Sequence, residues 1–451
     1  MKFLTKYFKW TAAALAMTVA VTMTSCDDQP DEFKPTGGVP TISYIRPTLP
    51  EQADSLLTSA TLESLICIVG DNLKSVHEIW FNDQKATLNT SYMTDHTIIV
   101  NVPSGIPGEV SNKIFFKTAS DQVVEFPFNV VVPGPRLDEM SLEWSNPGEE
   151  VTIYGDFFVD DPNVPLTIVM PGDVKVPAEN IKKINKNDVT FVIPDGAVEA
   201  GPLMVSTIYG EAKSGFHYRD DRGLLFEFDG VTGLTQQGWH AREIFNDDWS
   251  LSGNYVQLGN GNAVMSESGG WDDGNFSFEY WCGSWDDPQN VTSGQGMALN
   301  YLVNFKDFAN MSLKFEMCIP SSNPWSAGAM QICFEGFDKV TLSGNPIAGY
   351  DGTVAGANGS AFNGDNGLGT WGRALYRPWA KTGSFHTNDK WITVTIPISS
   401  FMYDREGNAT NTVPSKPEDF SSLTMFVVGG GINGTECQPI IKIDNIRAVL
   451  N

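Results

Sequence analysis

The chain has 451 residues, enough for about three domains. With 41% apolar and 18% charged residues it can form packed cores and is not disordered as a whole. Its net charge of −25 argues against nucleic acid and against polyanionic glycans as ligands. The 43 glycines and 26 prolines suit a β protein with many turns. The five histidines and six cysteines show no metal-ligand spacing, so neither a metal nor a cofactor is expected.

The chain opens with Lys2, Lys6 and Lys9, followed over residues 10–21 by an apolar run too short for a comfortable transmembrane helix. Met23-Thr24-Ser25-Cys26 ends that run. A small residue before a cysteine at the end of an export signal resembles the bacterial lipobox, with Met23 where leucine is commonest. The resemblance implies a signal peptide over 1–26 and a lipid on Cys26. The acidic residues Asp27, Asp28, Asp31 and Glu32 resemble the signal that sends lipoproteins of the Bacteroidetes to the outer face of the outer membrane. Residues 27–38 read as a flexible acidic tether.

Residues 39–132 carry short β runs between turns, at 41–45, 65–69, 78–82, 97–102, 113–117 and 123–132. That spacing predicts a β-sandwich. Residues 133–220 repeat the plan. Gly70-Asp71-Asn72-Leu73 corresponds to Gly155-Asp156-Phe157-Phe158, the strand ending at Pro103 to the one ending at Pro194, and Gly108 before Val110 to Gly201 before Val205. These short motifs resemble the IPT/TIG group of immunoglobulin-like domains, which most often act as spacers. Trp80 and Trp144 lie in the strands of these units and are read as core or joint residues. Val132-Pro133-Gly134-Pro135 reads as a stiff joint, because proline fixes φ on both sides of the glycine.

The last domain, 221–451, holds nine of the twelve tryptophans. It begins and ends in strand-like runs, at 224–229 and 440–450, and shows no sustained helical period. About 230 residues of β with long loops suggest a jelly roll. The predicted fold is therefore all-β: two tandem immunoglobulin-like sandwiches followed by a larger jelly-roll-like sandwich. Residues 343–370, rich in Gly, Asn, Asp and Ala, read as a long loop of the kind that is usually functional or mobile. Of the cysteines beyond Cys26, four lie inside apolar β runs, so buried free thiols are expected.

The stretch from Trp271 to Trp285 sets three tryptophans and Tyr280 among Gly, Asp, Asn and Ser. Exposed rings need a partner, and flat rings beside short polar side chains suit a sugar, whose C–H face stacks while its hydroxyls bond. Trp285 follows Gly283-Ser284, and Trp325 follows a Ser-Ser-Asn-Pro turn, so both are expected at the surface. Trp271, Trp371 and Trp379 are second-rank candidates. Trp281, also a glycan-binding candidate, alternates with Phe276, Phe278 and Tyr280, so it faces away from them. Trp239, Trp249 and Trp391 are read as packing residues.

A lipoprotein leader, tandem Ig-like units and a Trp-rich C-terminal β domain resemble the B-type surface glycan-binding proteins of Bacteroidetes polysaccharide-utilisation systems. Asn323-Pro324-Trp325, Tyr376-Arg377-Pro378-Trp379 and the run from Trp391 add local matches. The resemblance implies binding of a neutral β-linked polysaccharide (xyloglucan, mixed-linkage β-glucan, β-1,3-glucan or β-mannan) on an aromatic platform. It also implies work at the cell exterior beside an outer-membrane transporter and sister surface lipoproteins. A glycoside hydrolase needs two carboxylates at a defined separation. Asp and Glu abound, but no Gly-x-Ser-x-Gly or HExxH motif occurs, so no catalysis is expected. A surface adhesin for host glycoprotein shares the anchor and stalk. Its interface would mix aromatics with Arg and aliphatics, whereas residues 268–290 offer Trp with Asp and Asn.

Overall fold

Period-2 alternation of apolar and polar residues organises almost every ordered segment. The computed structural model describes residues 33–52, 54–287, 289–344 and 371–451. Cys26 and nearly all of the glycine-rich stretch 343–370 lie outside these described residues. The described elements are almost all β, with two single-turn α-helices and scattered 3-10 turns. No described helix is long and apolar enough to cross a membrane.

The chain forms two units, one ending at Pro133 and one running from Gly134 to Asn451. In the first unit, Thr41–Pro47, Leu65–Asp71 and Thr97–Asn101 make a three-stranded sheet. Gln84–Lys85, Val76–Phe81, Lys113–Thr118 and Val123–Pro127 make a four-stranded one. Alternate residues Ile66, Ile68, Ile98, Val100, Ile79, Phe81, Ile114 and Phe116 point between them into one core. Trp80 takes the opposite face of its strand. Its Nε1 donates to Glu78 Oε2 at 2.8 Å, and Lys117 Nζ sits 4.9 Å from its ring centre. It is therefore a half-buried surface residue and not part of the core.

The second unit begins with a sandwich on the same plan. One sheet is Arg136–Met140, Glu150–Asp156, Asp188–Val192 and Ile181–Asn185; the other is Val174–Lys175, Thr167–Met170, Gly201–Thr207 and Gly210–Tyr218. The repeat is structural as well as sequential. Both first-strand pairings carry a β-bulge, between Ile42 and Tyr44 and between Leu137 and Glu139. A glycine follows on each partner strand because there is no room for a side chain. A Cβ on Gly70 would lie 1.9 Å from Thr41 O, and one on Gly155 1.8 Å from Arg136 O. Two residues further on, Asn72 and Phe157 turn the chain at φ 56° and 59°, which drives Leu73 and Phe158 into their cores.

The rest of the second unit is a larger two-sheet sandwich. Ile244–Phe245, Tyr255–Leu258, Ile441–Leu450, Met311–Cys318 and Ile392–Pro397 form one sheet, with Leu224–Phe226 paired to Ile441–Leu450. The first strand of the domain thus pairs with the last. Ser277–Tyr280, Ser422–Val428, Ala329–Glu335 and Ala374–Tyr376 form the other sheet. Leu313, Phe315 and Met317 meet Met330, Ile332, Phe334, Met425 and Val427 in the core between them.

The outer face of Met311–Cys318 is also buried, because the second sandwich closes over it. Glu143 from that sandwich accepts from Lys314 Nζ at 2.5 Å and from Arg447 Nη2 at 2.7 Å. Arg447 Nη1 also donates to Glu316 Oε2 at 2.7 Å. Thr393 N donates to Ser141 O, and Leu251 enters the core of the second sandwich, where Trp144 packs. Cys67, Cys282, Cys318 and Cys333 are buried thiols without disulfides, and Cys437 is a half-buried one.

Candidate functional site

The four-stranded sheet of the C-terminal domain has one face in the core and one directed away from it. Phe278 and Tyr280 point inward, so Ser277, Glu279 and Trp281 point outward. The register extends this face across the sheet. Ser277 lies opposite Phe426, which lies opposite Gln331; Glu279 lies opposite Thr424, which lies opposite Cys333; Ser422 lies opposite Glu335. Arg373 Nη1 donates to Gln331 Oε1 at 2.9 Å, and Gln331 Nε2 donates to Val428 O at 2.7 Å. The outward face is thus polar at its centre and aromatic at its margins.

The edge strand Ser277–Tyr280 gathers the exposed rings. Gln237 pairs in parallel with Tyr280, and its Nε2 donates to the carbonyls of Trp281 and Gly283 at 2.8 and 2.7 Å. This places Trp239 against Trp281, with ring centres 5.8 Å apart at 72°. Trp281 is itself pinned, its Nε1 donating to Thr424 Oγ1 at 3.1 Å. Glu279 Oε2 accepts from the backbone N–H of Trp239 at 2.7 Å. At the other end of the strand, Trp271 meets Phe426 edge-on, with centres 4.8 Å apart at 89°. Trp281 Nε1 reaches Thr424, two residues from Phe426 on Ser422–Val428, so both ring pairs lie on one face of the sheet. Trp239 is 60% exposed, Trp271 53% and Trp285 64%. Trp285 stands in a turn closed by Asp287 N donating to Ser284 Oγ at 2.9 Å.

Four of the tryptophans expected to bind are placed otherwise. Trp325 is fully buried. It bridges to Phe385, and its Nε1 donates to Ala327 O at 2.7 Å, so the turn that precedes it leads into the core. Trp379 is buried with Nε1 on Gly328 O at 2.8 Å. Trp371 is buried with Nε1 on Phe334 O and Lys339 Nζ 4.2 Å from its ring centre. Trp281 is buried too, and serves as the bed for Trp239. In the other direction, Trp239 and Trp249 are corrected from packing residues to exposed ones. Trp239 follows Gln236-Gln237-Gly238, the same polar and glycine-rich setting that marks Trp285 as a loop residue. Applied evenly, that signal finds it.

Glu335 is fully buried on the outward face, beside Thr424 and Cys333. Desolvation raises its pKa to about 8. It is thus a neutral acid around pH 7 beside the Arg373 guanidinium. Among the described residues no group of three or more His, Cys, Asp or Glu is placed to hold a metal ion.

Comparison with known proteins adds three findings. Residues 218–450 match the family described as the surface glycan-binding protein B xyloglucan binding domain. The crystal structure of a surface glycan-binding protein B from Prevotella bryantii is 45% identical, covers 92% of this chain and 99% of that one, and superposes with a TM-score of 0.77. An IPT/TIG domain-containing protein of Bacteroides ovatus is 28% identical over 205 residues, which are 43% of this chain and 41% of that relative. The match thus spans less than half of the B. ovatus protein.

Proposed function

The chain belongs to the B-type surface glycan-binding proteins, and from that premise we propose that it captures a neutral β-linked polysaccharide on the edge-strand tryptophans of its C-terminal domain. The observation that carries this reading is the exposed Trp239 ring, backed by Trp281 on a backbone whose N–H donates to Glu279. Trp271 and Trp285 extend the surface. Each stacked ring contributes about 1 kcal/mol. Two or three rings with a few hydrogen bonds bring the affinity to about micromolar.

Xyloglucan is the first candidate ligand. Mixed-linkage β-glucan, β-1,3-glucan and β-mannan share the needed chemistry: flat, uncharged rings for an acidic protein. The protein binds without turnover and hands the polymer to an outer-membrane transporter and sister lipoproteins. It is tethered by lipid on Cys26 at the cell exterior. Native affinity gels containing each of the four polysaccharides test the proposal. Retardation by at least one, lost or halved in Trp239→Ala and Trp271→Ala, supports it. No retardation by any of them, or release of reducing sugar by the pure protein, sinks it.

A further inference from the structure

A second aromatic cleft lies where the second sandwich meets the C-terminal domain, on residues that the edge-strand surface does not use. It encloses about 560 Å³, within the range of small-ligand sites. Ser141, Leu142 and Thr152 of the second sandwich line one side, and Trp249 and Trp391 of the C-terminal domain line the other. The two indoles are tied together, Trp391 Nε1 donating to the backbone carbonyl of Trp249 at 2.7 Å. Each is also held in place by a neighbour. Lys442 Nζ lies 4.9 Å from the Trp249 ring centre, and Tyr255 meets Trp391 edge-on at 5.7 Å.

The rim is acidic. Glu149, Glu150, Asp248 and Asp389 face it against a single cation, Lys390. Hydrogen bonds from Ser321, through its backbone N–H at 2.8 Å and its hydroxyl at 2.9 Å, hold the Asp389 carboxyl below its usual range, so it stays charged. Such a rim repels anionic sugars and offers acceptors to hydroxyl groups. The cleft is preformed, because the buried Glu143–Arg447–Glu316 network locks its two sides together.

We infer that this junction cleft is a second subsite for a neutral sugar unit of the captured polysaccharide, stacked on Trp249 and Trp391. The inference rests on the proposed glycan binding. Two subsites on one chain gain avidity from a polymer that reaches both, and nothing from an oligosaccharide that fills one.

The test titrates the full chain with the polysaccharide that retards it and with a short oligosaccharide of the same glycan. Wild type, Trp239→Ala, Trp249→Ala and the double variant are compared, with thermal unfolding to show that each is folded. Trp249→Phe serves as the ring-preserving control. The cleft predicts that Trp249→Ala weakens polymer binding about fivefold and leaves the oligosaccharide affinity unchanged. It also predicts that Trp249→Phe restores most of the loss, and that residual polymer binding by Trp239→Ala disappears in the double variant. Polymer binding by folded Trp249→Ala equal to wild type overturns the cleft while leaving the edge-strand surface intact. A loss in Trp249→Ala with none in Trp239→Ala overturns the edge-strand reading and keeps the cleft. If neither variant loses binding, both fall.

Discussion

The two N-terminal sandwiches are built on one plan and put to different uses. Each bulges in its first strand pairing, sets a glycine against a carbonyl, and turns on a residue of positive φ into a buried hydrophobe. Yet the first ends its own unit at Pro133, and its Trp80 faces solvent among lysines. The second shares a unit with the C-terminal domain, and its Trp144 packs in a core that Leu251 of that domain enters. The difference does not lie in the repeat motif. It lies in a few residues outside it, above all Glu143, which meets Arg447 and Lys314 across the junction. A repeat therefore specifies a fold without specifying its neighbour.

The largest expected effect comes from breaking that junction. Arg447→Met leaves Glu316 and half of Glu143 buried without a counter-charge, which costs about 3–5 kcal/mol. Denaturant unfolding should show the loss in the second unit alone. An equal loss in the first unit would break the comparison.

The paired glycines give the next largest effect. Gly70→Ala and Gly155→Ala each push a Cβ into a backbone carbonyl and should cost about 1–3 kcal/mol. Calorimetry should show Gly70→Ala leaving the C-terminal domain's transition unmoved and Gly155→Ala lowering it. A Gly155→Ala transition confined to the second sandwich would mean that the two do not melt together.

These two glycines, their flanking strands and the all-β plan were legible because period-2 alternation and turn residues are local signals. The fate of the tryptophans was not. Met311–Cys318 is buried on both faces, and so is Ser422–Val428. Alternation in such strands cannot tell a face against the core from a face against another domain. Trp325 sits beside a turn that happens to be sealed by Phe385. The exposure of Trp239 has a local turn signal in Gln236-Gln237-Gly238, but its support, Trp281, lies 42 residues along the chain.

A further effect separates the units by pH. Desolvation at the junction raises Asp444, which accepts from Ser252 Oγ at 3.1 Å, from 3.8 to about 8. Its folded form holds the proton more tightly than the unfolded chain. Its stability contribution is therefore full below about pH 4 and declines as pH rises toward 8. In the first unit the Glu78 carboxyl is held low by hydrogen bonds from Lys85 and Trp80, so its contribution is present above about pH 4.5 and fades on acidification. Unfolding of the second unit at pH 5 and pH 8 should differ less in Asp444→Asn than in wild type. An unchanged difference would remove Asp444 from the account.

The most direct test sets the two indole settings against each other in one titration. Trp239→Ala and Trp80→Ala each remove an indole, an exposed one from the C-terminal domain and a half-buried one from the first sandwich. With a short oligosaccharide of the retarding glycan, calorimetry should show Trp239→Ala binding about fivefold or more weakly than wild type and Trp80→Ala binding as wild type does. Equal affinity in Trp239→Ala and wild type, or an equal loss in both variants, would contradict glycan capture on the edge-strand tryptophans.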